Sequence, residues 1–455
     1  MQTTPNSDEA RDIAYHFHSY TNAVQHSEIG PLIINDANGI YVTDNSGKTY
    51  IEGMSGLWSV GLGFSEPRLI EAACKQMQKI PYYHNFTHKS HSPVIELAEK
   101  LISIAPVPMS KVFFTNSGSE ANDTIIKMLW YRSNALGKPQ KKKIISRLRG
   151  YHGVTIGSAS LTGLPYNHLS FDLPIDGILH TTCPHYWREG KLGESEEDFA
   201  SRCANDLEEL IIKEGPDNIA AFIGEPLMGA GGVIVPPKSY WSKIQGVLKR
   251  YDILLIADEV ICGFGRTGKM FGCEQFSIKP DIITLSKQIT SSYFPLSAIL
   301  INDRVYQPIR DESGRIGVLG HGFTGGGHPV GAAIALENIK IIEEDGILDA
   351  VIERGNQLLS GLNNFSSHQM VGEVRGKGLV AAIEITGNEQ HKEAHPPGTL
   401  GVTMNKLMQK NGLIIRNIQD AIAFCPPMII SHKQVNDILN ITEQSLEELK
   451  IACAA

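Results

Sequence analysis

Paired cysteines are missing from this sequence. Seven cysteines are scattered over 455 residues, odd in number and with no C-x-x-C spacing. That excludes a disulfide framework and fits the reducing conditions of the cytoplasm. Long apolar runs are missing too. Nothing approaches the roughly 18 consecutive apolar residues of a membrane span. The stretch Met1–Asp12 is polar and lacks the apolar core of a secretion signal. Positive charge is in deficit, with 41 Lys and Arg against 49 Asp and Glu and a net charge of −8. Such a chain is a poor match to nucleic acid or an anionic membrane. The run Lys141–Lys143 reads as a solvated turn. There is no internal repeat and no low-complexity linker. With these classes removed, 42% hydrophobic residues describe a soluble globular protein of one large or two ordinary domains.

The middle of the chain alternates strands with helices. Residues 39–53 read as a hairpin, with GIYVTD and KTYIEG alternating around Asn45-Ser46-Gly47. Residues 67–80 have helical spacing. From about Val94, short apolar runs (KVFFTN, KKIISR, AAFIGEP, ILLIAD, DIITL, SAILI) are separated by helical stretches such as EANDTIIKMLWYRSNAL and Ser239–Arg250. This pattern predicts an α/β domain with a mostly parallel central sheet. The last third differs. Residues 329–344, 347–365 and 432–449 read as helices, and MVGEVRGKGLVAAIEI and LIIRNIQDAIAFCP as strand-rich. We therefore expect an N-terminal segment and hairpin (1–65) packed with the small domain, a large domain (66–330) and a smaller α+β domain (331–455).

In an open α/β sheet, ligands sit outside the carboxyl ends of the strands. Four strand ends carry reactive or ligand-binding residue types. Asn116-Ser117-Gly118-Ser119-Glu120 joins a strand to a long helix, and free N–H groups there can hold an anion; an ordinary cap is the alternative. Asp258 ends a buried run and needs a partner, either a protonated ring nitrogen or backbone amides. Lys287 follows Ile282–Leu285. In a partly apolar pocket it would be a nucleophilic amine, and on the surface a solvated charge. Tyr151 follows KKIISR and can lie on a cofactor ring or pack in the core. His84, His88 and His91 are spaced by four and three, as zinc ligands on a helix would be. No Glu or Cys completes that set and Pro81 and Pro93 interrupt it, so no metal site is expected. The stretch Gly229–Gly232 lacks the lysine of a phosphate-binding P-loop and reads as a tight loop.

Taken together, TNSGSEAND, RLRGYHG, GEP, LLIADEVICGFGRTG, PDIITLSK and HGFTGGGHP resemble, in this order, the class III aminotransferases. These are pyridoxal-phosphate-dependent enzymes of fold type I. GLWSVGLGF and NGLIIRN are similar to the amine:pyruvate (omega-) transaminases. The resemblance covers nearly the whole chain. It implies that Lys287 carries pyridoxal 5′-phosphate and that Asp258 pairs with its ring nitrogen. Tyr151 and Val260 would cover the two ring faces, with Glu225 supporting the surrounding hydrogen bonds. Gly118 and Ser119 would bind the phosphate from one subunit and Thr324 from the other, in a homodimer with shared active sites that could pair into a tetramer. Trp58 and Phe86 resemble the walls of the substrate pocket, Tyr151 borders it, and Arg416 resembles the mobile arginine that receives a carboxylate. Where relatives carry an aromatic and a small residue after Thr324, this chain has Gly325-Gly326-Gly327, which is expected to enlarge or loosen the pocket.

The implied reaction moves an amino group from a primary amine or omega-amino acid to a keto acid such as pyruvate, in ping-pong order. A decarboxylase or aminomutase of the same fold is the nearest alternative, and a non-catalytic scaffold a more distant one. A bland reading of Arg416 pairs it with Asp420.

Overall fold

A computed structural model describes residues 4–387 and 396–454; the remaining residues of the expected N- and C-terminal units lie outside this description. Its strands, in chain order, are β1 (Ile34–Asn38), β2 (Tyr41–Asp44), β3 (Thr49–Glu52), β4 (Lys111–Thr115), β5 (Lys143–Arg147), β6 (Ile178–Thr181), β7 (Ile219–Gly224) and β8 (Leu254–Asp258). They continue with β9 (Ile282–Leu285), β10 (Ser297–Ile301), β11 (Val371–Gly376), β12 (Ala381–Ile385), β13 (Leu413–Ile414), β14 (Arg416–Ile418) and β15 (Ala421–Phe424).

The central sheet has seven strands in the order β4-β10-β9-β8-β7-β5-β6. Only β10 runs against its neighbours; β5, β6, β7, β8 and β9 pair in parallel. Parallel strands are covered on both faces, and here β7, β8 and β9 are buried throughout. That is why their sequences are mostly apolar, with Thr284 in β9 and the terminal Asp258 of β8 the polar exceptions. The α/β class with a parallel-rich sheet and a smaller sheet unit is as the sequence predicts.

β11, β12, β15 and β14 form an antiparallel four-stranded sheet. The N-terminal hairpin pairs with the C-terminal segment through β13, Leu413 lying opposite Ile51. The run LIIRNIQDAIAFCP is therefore divided between two sheets, with Ile415 at the break and Gln419 turning at φ 54°. Apolarity marks such a run as buried but does not assign it to a sheet. The 84–91 stretch is irregular, and His91 caps the helix Ser92–Ile104, its Nδ1 accepting from the Val94 N–H at 3.3 Å. The three histidines thus do not share a helix face.

Candidate active site

The carboxyl ends of β4, β5, β7, β8 and β9 feed one cavity of about 130 Å³, bordered by Gly118, Ser119, Tyr151, Glu225, Asp258, Val260 and Lys287. Chain direction explains the convergence, since parallel strands present all their carboxyl ends to one edge.

The β4 end is built as a helix start. Ser117 Oγ accepts from the Glu120 N–H at 3.2 Å, and Glu120 reaches back to the Asn116 N–H at 2.8 Å. With the cap supplied by Ser117, Gly118 and Ser119 occupy the first turn of the helix Gly118–Ala135 and face the cavity. The cap and the anion-site readings therefore coexist.

At the β8 end, Asp258 is 2% exposed. Its Oδ2 lies 2.7 Å from His152 Nδ1 and accepts from Asn122 Nδ2 at 3.1 Å, and its Oδ1 accepts from the Val260 N–H at 3.1 Å. Asn122 is held in turn by Thr284 Oγ1 at 2.9 Å and donates to the His152 carbonyl at 2.7 Å. The carboxylate is fixed on its protein side, yet no lysine or arginine pairs with it among the described residues. Asn122 and His152 escaped the sequence reading. Asn122 stands one helical turn from Gly118, a spacing that could have shown it.

Glu225 is also buried. Its Oε1 accepts from the Tyr151 N–H at 3.1 Å and its Oε2 from the Gly229 N–H at 2.8 Å. Burial raises its pKa, with the neighbouring His152 acting in the opposite sense. The glycine loop 229–232 thus supplies one of the bonds that hold this carboxyl.

Lys287 opens a short 3-10 turn in the left-handed region at φ 49°. A lysine there is uncommon, and such strain concentrates at functional sites. The turn is fastened from the N-terminal side. Gln288 Oε1 accepts from the Gly61 N–H at 2.8 Å, and Ser291 Oγ from the Leu62 N–H at 2.9 Å. A Cβ on Gly61 would lie 2.2 Å from Gln288 Oε1, so only glycine permits this approach. Lys287 is half-buried because it borders the cavity. Burial lowers its ammonium pKa against the opposing pull of Asp258 and Glu225, which frees a larger share of nucleophilic amine.

The outer rim is aromatic. Burial raises the Tyr151 phenol pKa, and the neighbouring Tyr20 acts in the same direction. Tyr20 also receives Asn167 Nδ2 at 2.6 Å and meets Tyr166 edge-on at 6.3 Å. Arg416 is half-buried and its charge is felt at Tyr151, Tyr166 and Lys287. Among the described residues it has no ion-pair partner. Asp420, its bland partner, is taken by the N–H groups of Gly398 and Gly401 at 2.7 and 2.8 Å.

Three expected residues lie outside this cavity within their own chain. Trp58 is 1% exposed, belongs to the core, and leaves its indole nitrogen without a partner. It precedes the Gly61–Leu62 segment that fastens the Lys287 turn. Phe86 borders a separate cleft of about 900 Å³ with Phe323. Thr324 is exposed, and its carbonyl accepts from the Tyr82 hydroxyl at 2.9 Å. The glycines after it are engaged by the chain's own packing: a Cβ on Gly326 would lie 2.7 Å from the Phe114 carbonyl oxygen, and Gly327 has φ 68°.

Residues 21–446 match the family model for aminotransferase class-III. A gamma aminobutyrate transaminase 1 (mitochondrial) of Solanum lycopersicum is 47% identical over 440 residues, covering 95% of this chain and 85% of that protein. The solved omega transaminase from Pseudomonas jessenii in complex with PMP is 58% identical, covers 98% of this chain and 99% of its own, and has a TM-score of 0.98. A transaminase solved with L-ala is 62% identical over 92% of this chain and all of its own, with a TM-score of 0.92.

Proposed function

The chain belongs to the class III aminotransferases, enzymes of pyridoxal-phosphate-dependent transamination, and from that premise we propose that it moves the amino group of a primary amine or omega-amino acid to a keto acid such as pyruvate. The residues bordering the cavity suit the cofactor's chemistry. An anion fits the free N–H groups of the helix start at Gly118 and Ser119. A protonated pyridine nitrogen fits Asp258, a buried carboxylate whose partners on the protein side are the His152 ring, the Asn122 amide and the Val260 N–H. Tyr151 and Val260 offer surfaces for a flat ring, and Glu225 fixes the backbone of Tyr151.

When bound, pyridoxal phosphate supplies an electron sink for the carbon beside the transferred nitrogen. Lys287 would hold the cofactor, and its amine would take the proton from the substrate carbon bound to the transferred nitrogen and return it to the cofactor carbon on the other side of that nitrogen, as base and then acid. Its lowered pKa suits both tasks. Asp258 would hold the ring nitrogen of the bound cofactor. Arg416 receives the carboxylate of the keto acid as a bidentate pair and, having no acidic partner among the described residues, can turn outward for an apolar donor.

Thr324 and Phe86 stand away from their own cavity, which supports a homodimer in which each chain completes the other's site. Seven free thiols support a reducing compartment such as the cytoplasm. No helix among the described residues is long and apolar enough to cross a membrane.

The observation that carries the reading is the meeting of Lys287, Asp258 and the Gly118–Ser119 helix start in one cavity. Its test is a panel of amines, alanine and gamma-aminobutyrate against pyruvate and 2-oxoglutarate. Keto-acid-dependent amino transfer is expected; carbon dioxide release, or an intramolecular amino shift with no keto acid consumed, would replace it with a decarboxylase or aminomutase.

A further inference from the structure

A second cluster of ligand-type side chains lies in the N-terminal segment, and none of its members borders the Lys287 cavity. Asp12 sits in the helix Asp8–Tyr15, His26 in the helix Ala23–Ile29, and His16 and His18 in the connection between them. Asp12 Oδ1 lies 3.1 Å from His16 Nδ1. Its Oδ2 lies 2.6 Å from His18 Nε2 and 3.1 Å from His26 Nε2. The imidazoles are tilted against one another at 41° and 39°, with ring centroids 4.2 Å apart for His16 and His18 and 4.3 Å for His18 and His26. A cleft of about 230 Å³ borders all three rings.

Three imidazoles around one carboxylate are more than hydrogen bonding needs. Were all three charged, a single Asp would face three mutually repelling cations at close range. As neutral rings they offer three nitrogen lone pairs beside an anionic oxygen. Zinc is bound tetrahedrally by such a set at about 2.0–2.1 Å, which places its ligand atoms roughly 3.3 Å from one another. The ligand atoms of Asp12, His16 and His18 already lie within 4.8 Å of each other; His26 stands outside that group of three but reaches the same carboxylate at 3.1 Å. The three contacts to the carboxylate, at 3.1, 2.6 and 3.1 Å, are at or inside the spacing the ion requires. Three nitrogens and one oxygen favour a borderline transition ion over magnesium or calcium.

Neither of the two helices contains a buried residue. The connection between them leads to Tyr20, which neighbours Tyr151 at the rim of the cavity.

We propose that Asp12, His16, His18 and His26 form a binding site for one divalent transition-metal ion of the zinc class, which clamps the two N-terminal helices together. The test uses the full-length holoenzyme, stripped with a chelator and dialysed against zinc. One tightly held zinc per chain is expected in the wild type, and at least tenfold weaker binding in His18→Ala/His26→Ala. Cobalt in place of zinc should give the visible bands of a four-coordinate ion in the wild type and lose them in the variant. Limited proteolysis of the wild type alone gives a measurement independent of the variant's folding: zinc, but not magnesium, should slow cleavage within residues 4–29. Failure of the wild type to hold one zinc per chain, unchanged binding in the double variant, or cleavage that zinc does not slow would each overturn the proposal.

Discussion

Nδ1 of His152 lies 2.7 Å from Oδ2 of Asp258, with both side chains buried. Together with Asn122 and the Val260 N–H it fixes the carboxylate in place before any ligand is present. Asp258→Asn keeps the size but removes the charge. We expect the proton-transfer half-reaction to fall by about 10²-fold or more, while cofactor retention changes far less because the Gly118–Ser119 helix start is untouched. Stopped-flow half-reactions and dialysis of bound cofactor measure the two effects. Unchanged half-reaction rates would make Asp258 a structural residue.

Arg416 is predicted to discriminate between substrates. Arg416→Ala should slow reaction with alanine or pyruvate by about 10²-fold, the loss expected for a charged bidentate contact of ~3 kcal/mol. An aryl-alkyl amine should be affected much less. Equal losses for both would mean that Arg416 supports the fold instead of reading a carboxylate.

The helix start, Asp258 and Lys287 were legible because the strands before them are mostly apolar runs, so the polar residue that ends each run stands out. Their ordered resemblance to a family then raised single weak signals to a joint one. His152 and Asn122 were not singled out, since a histidine beside a tyrosine and an asparagine in a helix carry no local mark of a shared carboxylate. Tyr20 was out of reach: only the tertiary path of the N-terminal segment brings it to Tyr151. Asp420 shows the opposite error. Its nearness to Arg416 in sequence suggested a pair, but the chain turns at Gln419 and delivers Asp420 to the amides of Gly398 and Gly401.

Glu384 carries a stability prediction. It is 1% exposed and pairs with Arg375 at 2.7 Å and with Arg188. Burial alone would raise its pKa; the two guanidinium groups outweigh that and hold it at about 2, below its ordinary 4.5. A depressed carboxyl stabilises the fold above pH 4.5 and loses that contribution as the pH falls toward 2, an effect on the order of 3 kcal/mol. Denaturant unfolding at stepped pH should show Glu384→Gln to be less stable at pH 7 and flatter across this acid window. Parallel pH profiles for the two proteins would refute the assignment.

Thr324 should act across a subunit interface. A solution of mixed inactive chains, one carrying Lys287→Ala and the other Thr324→Asp, is expected to regain part of the activity on subunit exchange, because one of the two sites in a mixed dimer then combines an intact Lys287 cavity with an intact Thr324 from its partner. Size-exclusion with light scattering should show a dimer or a tetramer. A monomer with full activity would reject the shared site.

The most direct measurement is to reduce the holoenzyme with borohydride, digest it and locate the fixed cofactor by mass spectrometry, with the transamination rate of Lys287→Ala measured beside it. The cofactor mass should fall on the peptide containing Lys287, and the variant should remain folded yet lose turnover. A label on another lysine, or normal turnover in Lys287→Ala, would contradict the assignment of Lys287 as the residue that carries the cofactor and moves the proton.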